Sequence, residues 1–391
     1  MRSMTITNFK GYTSPTTVEF SDITIHAGMN SVGKSTAVQA LLLTRTLIEF
    51  MMKFGSASDG KREYKIPLNG PFDLNLGDYN QLLLSTHDRE SLSEGNRMSC
   101  RVNGYGGQEF HFQAKEEAPF YLYCETENPF PDLEPFRCIP PPDSVCDRNL
   151  YQTAFYYINA ERLGPRNFQN IGDAGASFCG YHGEYAFDVI TRFFNQPVPP
   201  ERRLAGKETL APFNSQLECW MDYIIPGIRF RANRNVQNRI ADLSISQESL
   251  NTEFASPHNF GFGISYLLPI IVTGLLAERD TIFIVENPEA HLHPCGQSHI
   301  GRFLAQVAFS GVQVIVETHS EHVINGIRLH ALKYRISPER ICINNFSIAD
   351  GKPHVERVPL NENMDILEWP EGFYDQEERD LAEMRHLRIK R

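Results

Sequence analysis

Residues 28–36 read "GMNSVGKST", with Gly28 and Gly33 bounding a short loop and Lys34, Ser35 and Thr36 following directly. The spacing G-x-x-x-x-G-K-[ST] is that of a phosphate cradle. Backbone N–H groups between Gly28 and Lys34, those of Asn30 and Ser31 among them, converge at a helix N-terminus, where the dipole favours an anion. Lys34 adds a point charge at the β- and γ-phosphates, and Ser35 offers its hydroxyl to Mg2+. Such chemistry needs an acid at the end of a second strand. "TIFIVENPEAHLHP" (281–294) supplies one, four apolar residues ending in Glu286. Guanine-specific sites carry [NT]-K-x-D, and no K-x-D occurs in the chain, so the nucleotide expected is ATP.

These residues need elements to hold them. Residues 4–9 and "VEFSDITIHAG" (18–28) read as short strands, with Ile23 and Ile25 on one face. "STAVQALLLTRTLIEFMMKF" (35–54) has apolar residues at helical spacing and no breaker, which gives the strand, loop, helix context that the cradle requires. The C-terminal third repeats this regularity. "TIFIVE" and "VQVIVETHS" (312–320) read as buried strands, each followed by a helix (299–309 and 321–333), and 340–358 reads as a hairpin around Asp350-Gly351. Apolar strands alternating with helices imply a parallel sheet covered on both faces. The apolar "YLLPIIVTGLLAE" (266–278) reads as a buried helix. Between these ends, 55–155 reads as an antiparallel β-rich lobe with long loops, and "NPFPDLEPFRCIPPPD" (128–143) cannot be helix interior. Residues 156–254 read as a mixed helical insertion, with 1–54 and 255–391 as the core. No sustained heptads predict a coiled-coil arm.

Composition narrows the classes. The chain has 391 residues, 41% hydrophobic and 22% charged, enough for a large core without disulfide staples. Net charge is -11, which excludes a uniformly basic nucleic-acid coat but not a local patch. Eight cysteines without a C-x-x-C fit reduced thiols of a cytoplasmic protein. No apolar run of about 18 residues exists and the N-terminus lacks a signal-peptide stretch, so no membrane is expected.

"ITNFKGY" (6–12), the phosphate loop, "NFGFGIS" (259–265), "FIVENPEAHLHP" (283–294) and "ETHSEHVINGIR" (317–328) occur in that order. The order resembles the ABC-type ATPase heads of the RecF, SMC and OLD group. With "WPEGFYDQ" (369–376), it resembles most the compact prokaryotic AAA-type ATPases found in anti-phage systems such as Septu and PARIS, paired with a nuclease or other effector. The resemblance implies an α/β fold, an ABC-type P-loop ATPase head with a mainly parallel core sheet. It implies that Glu286 is the metal-side acid and His319 the switch histidine at the γ-phosphate. Gly261, Gly263 and Ser265 would be the signature that caps the nucleotide of a partner subunit. Asn8 and Lys10 lie where relatives approach the nucleotide, or are solvated turn residues. Gln81, with Asn80 in "LGDYNQLL", is a candidate for the loop that senses the metal. Arg162 and Arg166 in "YYINAERLGPR" (156–166) are phosphate or DNA contacts, or ion-pair partners.

His291 and His293 form an H-x-H that could suggest a second metal; the preferred reading is a loop packed at a dimer seam. One departure matters. Relatives often carry two consecutive acids where this chain has Glu286 and Asn287. An amide can orient water but cannot take its proton. Glu289 is the nearest acid that could substitute. The expected protein is an ATP- and Mg2+-binding ATPase of slow turnover, dimerising or oligomerising around ATP. It would control an effector protein, a nuclease or toxin, or clamp DNA or RNA. A nucleotide-gated module without hydrolysis is the alternative, as is a RecF-type repair ATPase.

Overall fold

The computed structural model describes residues 1–54, 61–82, 98–103, 108–127, 150, 154–172, 177–248, 251–368, 370, 373–374 and 376–389. The proline-rich 128–143 stretch, Cys138, Cys146 and Trp369, Glu371, Gly372 and Asp375 of "WPEGFYDQ" lie outside the described residues.

The chain opens with β1 (Ser3–Thr7), β2 (Thr16–Glu19) and β3 (Ile23–Gly28), then α1 (Lys34–Phe54). β4 (Lys61–Pro67), α2 (Tyr79–Leu82), β5 (Met98–Asn103), β6 (Gln108–Ala114) and β7 (Tyr121–Glu127) follow. Next come β8 (Phe155–Ile158), β9 (Phe168–Asn170), α3 (Ala186–Arg192), α4 (Phe213–Ile224), β10 (Ile228–Asn235) and β11 (Ile240–Gln247). The last part runs α5 (Phe262–Leu276), β12 (Ile282–Glu286), α6 (Pro294–Phe309), β13 (Gln313–Glu317), α7 (Glu321–Lys333), β14 (Ile341–Ala349), β15 (Lys352–Val358) and α8 (Gln376–Ile389).

Three sheets result. The core sheet has the order β15-β14-β3-β13-β12-β8, parallel from β14 to β8, with β15 antiparallel at one edge. The β14–β15 turn is Asp350-Gly351, at φ 49° and 72°, the positive values that a two-residue hairpin demands. The second sheet, β2-β1-β5-β6-β7-β4, is antiparallel throughout. β1 and β2 therefore pair with the lobe rather than with the core, because alternation marks a strand without saying which sheet it joins. A third sheet, β10-β11-β9, lies inside the region read as helical. Its signal was present: Ile228, Phe230 and Ala232 alternate with Arg229, Arg231 and Asn233.

The core sheet separates two apolar cores. Strand side chains alternate between faces, so Phe283, Val285, Val314 and Val316 pack with the helices α3 to α7, while Ile282, Ile284 and Ile315 pack with α1 and the antiparallel sheet. α5 is buried along most of its length. Its Pro269 has no N–H for the Ser265 carbonyl, which leaves that carbonyl out of the helical ladder. Asp188, fully buried in α3, is held by Arg192 Nε at 2.9 Å and by Arg234 Nε of β10 at 2.7 Å. Among the described residues the cysteines are free thiols, and no helix is long and apolar enough to cross a membrane.

His26 sits in β3 with both ring nitrogens buried and without a hydrogen-bond partner, its ring 5.0 Å from that of Phe346. Burial, with Lys34 as the lesser cause, pushes its pKa down to about 3. The unfolded chain takes this proton near pH 6.5 and the folded chain does not, so stability falls as pH drops through that window. Between pH 7.5 and 5 this one group should cost about 2 kcal/mol. Urea unfolding of wild type and His26→Leu at both pH values checks it: the variant should lose less stability on acidification, and equal losses would contradict the assignment.

Candidate nucleotide-binding site

The phosphate loop leaves the core sheet at Gly28 and enters α1 at Lys34. Gly28 has φ 129°, and a Cβ there would lie 2.2 Å from the Phe346 carbonyl oxygen of β14. Only glycine fits. Gly33, at φ 109°, lies under the Tyr12 hydroxyl, which donates to its carbonyl at 2.9 Å. Ser31 also takes a left-handed conformation, at φ 61°. Alternating backbone handedness of this kind turns successive N–H groups toward one point. Met29, Asn30, Ser31 and Ser35 are exposed, Thr36 is half-buried and Lys34 is buried. Lys34 Nζ donates to the carbonyls of Gly28 and Met29. Burial lowers its pKa, while Glu317 and then Glu289 pull it back up.

The strands beside the loop bring their acids to the same edge. β13 is the direct neighbour of β3, and β12 lies one strand beyond, with Glu286 in register with Glu317. Glu317 Oε1 accepts from Ser35 Oγ at 2.7 Å. Its other oxygen is buried and has no hydrogen-bond partner. Burial and then Glu286 raise its pKa to about 7, against the opposing effects of Ser35 and Lys34. Sequence reasoning missed Glu317, although "VIVE" repeats the apolar-run-then-acid signal of "FIVE".

Glu286 is turned the other way. Its carboxylate accepts from the Tyr157 hydroxyl at 3.1 Å and from the Ala160 N–H at 3.3 Å, both on the β8 side. Burial raises its pKa; Tyr157, Ala160 and Arg162 oppose. Arg162 is 3% exposed. Its guanidinium donates to the carbonyls of Asn159, Glu286 and Asn287, keeps a buried Nε without a partner and lies 5.3 Å from the Tyr266 ring centroid. Arg166 donates to the Pro165 carbonyl.

Glu289 closes the site from above. Its two oxygens accept from Thr318 Oγ1 and from the His319 N–H, each at 2.7 Å. The loop after β12 is thereby fastened to the loop after β13. His319 is exposed, and burial and Lys34 lower its pKa against Glu289 and the Gly28 backbone. Its ring therefore stands beside the phosphate loop, uncharged near neutral pH. Asn287, at φ 45°, donates its N–H to the Glu317 carbonyl at 2.8 Å and keeps a buried amide oxygen with no partner. Tyr374 reaches the same loop, its hydroxyl 3.3 Å from the Thr318 carbonyl.

The remaining candidates divide. Gly261 caps α5, and a Cβ on Gly263 would lie 2.7 Å from the His291 carbonyl oxygen, so this segment is packed on the loop that follows β12. Ser265 is half-buried in the same first turns. His291 packs against Tyr266 and Phe262, and His293 caps α6. No cluster of His, Cys, Asp and Glu suited to a metal occurs among the described residues. Lys10 Nζ donates to Gln39 of α1 at 2.6 Å, and its N–H to Leu82 of α2 at 2.6 Å. Asn8 shares the left-handed turn, at φ 55°. Gln81, in the short α2 with Asn80, folds over Gly77.

The residues present suit Mg2+ with a nucleotide. Mg2+ keeps several waters and takes few protein ligands beside phosphate oxygens. A serine hydroxyl touching a carboxylate with one unpartnered buried oxygen is such a donor set.

Residues 215–324 match the AAA ATPase domain family, and residues 336–384 match a family of proteins of unknown function, DUF3696. No curated protein matches the chain. Among solved structures, the chain is similar to an SMC head domain from Thermotoga maritima, at 14% identity and TM-score 0.42 over 92% of this chain and 98% of that one. A second similar structure is an Smc head domain with an extended coiled coil bound to the C-terminal domain of ScpA, derived from Pyrococcus furiosus. There identity is 12% and the TM-score 0.41, over 98% of this chain and 99% of that one. Both scores are low, and the site stands on its own geometry.

Gly28→Ala tests that geometry. The backbone strain alone should cost about 1–3 kcal/mol, before the collision with Phe346 is relieved. A chemical-denaturation midpoint equal to that of wild type would mean that the loop does not take this path. The phosphate loop, the acid-ended strands and His319 thus share one edge of the core sheet, and residues 215–324, which include the Glu286 strand and His319, match an AAA ATPase domain.

Proposed function

We propose that the chain is a nucleotide-gated head that binds ATP with Mg2+, hydrolyses it slowly and pairs with a second head around it. The observation that carries this reading is the meeting of Lys34, Ser35, Glu317 and His319 at the C-terminal edge of β3 and β13. Ligands of open α/β sheets bind at such edges. Lys34 and the loop N–H groups hold the phosphates, and His319 faces the position of the terminal one. Mg2+, when bound, offsets phosphate charge.

Slow turnover follows from how the acids are engaged. A positioned general base contributes typically 10²–10⁴-fold. Asn287 has no basic group, and its unpartnered oxygen serves only to orient water. Glu289 spends both oxygens on Thr318 and His319. We read it as the clasp that positions the Thr318–His319 segment, the sensor loop.

The signature segment supports pairing of heads. Gly261 is exposed, and Phe262 is 55% exposed at the tip of α5. A partner effector, a nuclease or toxin, or a nucleic-acid clamp would read the closure. The anti-phage setting rests on the order of motifs alone.

Four outcomes are expected. Lys34→Ala should weaken ATP binding without unfolding the chain, by calorimetry; equal affinity would remove the site. Steady-state turnover should lie below about 0.1 s⁻¹, one to two decades under common enzyme rates. Glu289→Gln should change that rate modestly, whereas a 10²–10⁴-fold collapse would make Glu289 the base. Light scattering should show ATP-dependent dimers that Ser265→Arg abolishes, and dimers indifferent to both would place association elsewhere.

A further inference from the structure

The chain presents two candidate acids for the metal side of the site. They are register partners on adjacent parallel strands, and both project to the α1 face of the sheet, since Val285 and Val316 before them face the opposite core. Their environments differ. β13 borders the phosphate-loop strand, and β12 stands one strand farther, about 5 Å at ordinary strand spacing. Glu286 has both oxygens engaged, by Tyr157 and by the Ala160 N–H. The backbone around it is braced by Arg162, which takes the carbonyls of Glu286 and Asn287. Freeing the Glu286 carboxylate would strand the buried Tyr157 hydroxyl, which opposes its turning to a cation.

Glu317 is the converse case. It is 5% exposed, it touches the Ser35 hydroxyl at 2.7 Å, and its Oε2 has no hydrogen-bond partner. A carboxylate buried to this degree ordinarily has both oxygens satisfied. An orphan oxygen beside the hydroxyl that the loop motif assigns to Mg2+ marks a position for a cation. The nearest ammonium does not fill it: Lys34 Nζ is committed to the carbonyls of Gly28 and Met29.

We infer that Glu317, at the end of β13, and not Glu286, is the protein carboxylate that joins Ser35 in holding the nucleotide's Mg2+. Glu286 is then a positioning residue. It ties the end of β12 to β8 and fixes the start of the Asn287–Glu289 loop, and through Glu289 the sensor loop. The inference rests on the reading of this edge as an ATP site.

The test is the binding of AMP-PNP, a non-hydrolysable ATP analogue, measured by calorimetry in excess Mg2+ and in EDTA, for wild type, Glu317→Gln and Glu286→Gln. Wild type should bind more tightly with Mg2+. Glu317→Gln should weaken the apparent Mg2+ affinity of the complex by about tenfold or more, with binding in EDTA unchanged or tighter, because a negative charge near the phosphates is gone. Glu286→Gln should keep the Mg2+ effect and instead lower the melting temperature. If Glu317→Gln does not fold, Glu317→Asp, which withdraws the carboxylate by one methylene, should show the same loss. Loss of the Mg2+ effect in Glu286→Gln, with Glu317→Gln like wild type, overturns the inference. Wild type that binds no AMP-PNP in either condition overturns the ATP reading itself.

Discussion

The site depends on β13 lying between the phosphate-loop strand and the strand that ends in Glu286. A parallel sheet delivers all its strand ends to one edge, and the order of strands decides which end touches which. Because β13 is inserted, the residue facing Ser35 is Glu317, and the loop facing Gly28 and Lys34 is Thr318–His319. Strand order then places the α1 N-terminus and Glu317, and the Glu289 side chain helps to hold His319 beside them. The Thr318 N–H donating to the His26 carbonyl at 3.1 Å, and the Asn287 N–H to the Glu317 carbonyl at 2.8 Å, stitch the three strand ends together.

From this order follows a division of labour among three glutamates. Glu317 bonds Ser35 at the end of the loop, Glu289 clasps Thr318 and His319, and Glu286 anchors β12 to β8. Their mutual repulsion is part of the design: Glu286 and Glu289 both raise the pKa of Glu317, as burial does first. A cation beside Glu317 would relieve that cost. Glu289, the next acid after Glu286, has both oxygens engaged by Thr318 and His319, and the proposed slow turnover rests on that.

The strands β1, β2, β3, β12 and β13, the phosphate loop, α1, α5 and the Asp350-Gly351 hairpin were legible in the sequence because each is a local pattern: an apolar run, a glycine spacing, a 3.6-residue period, whereas β9 to β11 were not read. What was not legible is which elements become neighbours. The pairing of β1 with β5 is set by contacts across some ninety residues, not by anything in "SMTIT" itself. Glu317 was passed over for the same reason, since only the strand order makes its end, rather than that of β12, the neighbour of Ser35. That Arg162 would be buried and donate to three backbone carbonyls was not legible either, because such bonds leave no local trace in sequence. Tyr12 in "FKGY" gave no hint that its hydroxyl would brace Gly33.

A crystal structure of the chain with AMP-PNP and Mn2+ in place of Mg2+ tests the central claim most directly, because the anomalous signal of manganese locates the metal independently of the protein. The account predicts phosphates in the loop between Gly28 and Lys34, with the manganese peak between Ser35 Oγ and the Glu317 carboxylate and Glu286 still bonded to Tyr157. A peak on the Glu286 carboxylate, or a nucleotide bound away from this loop, would contradict it.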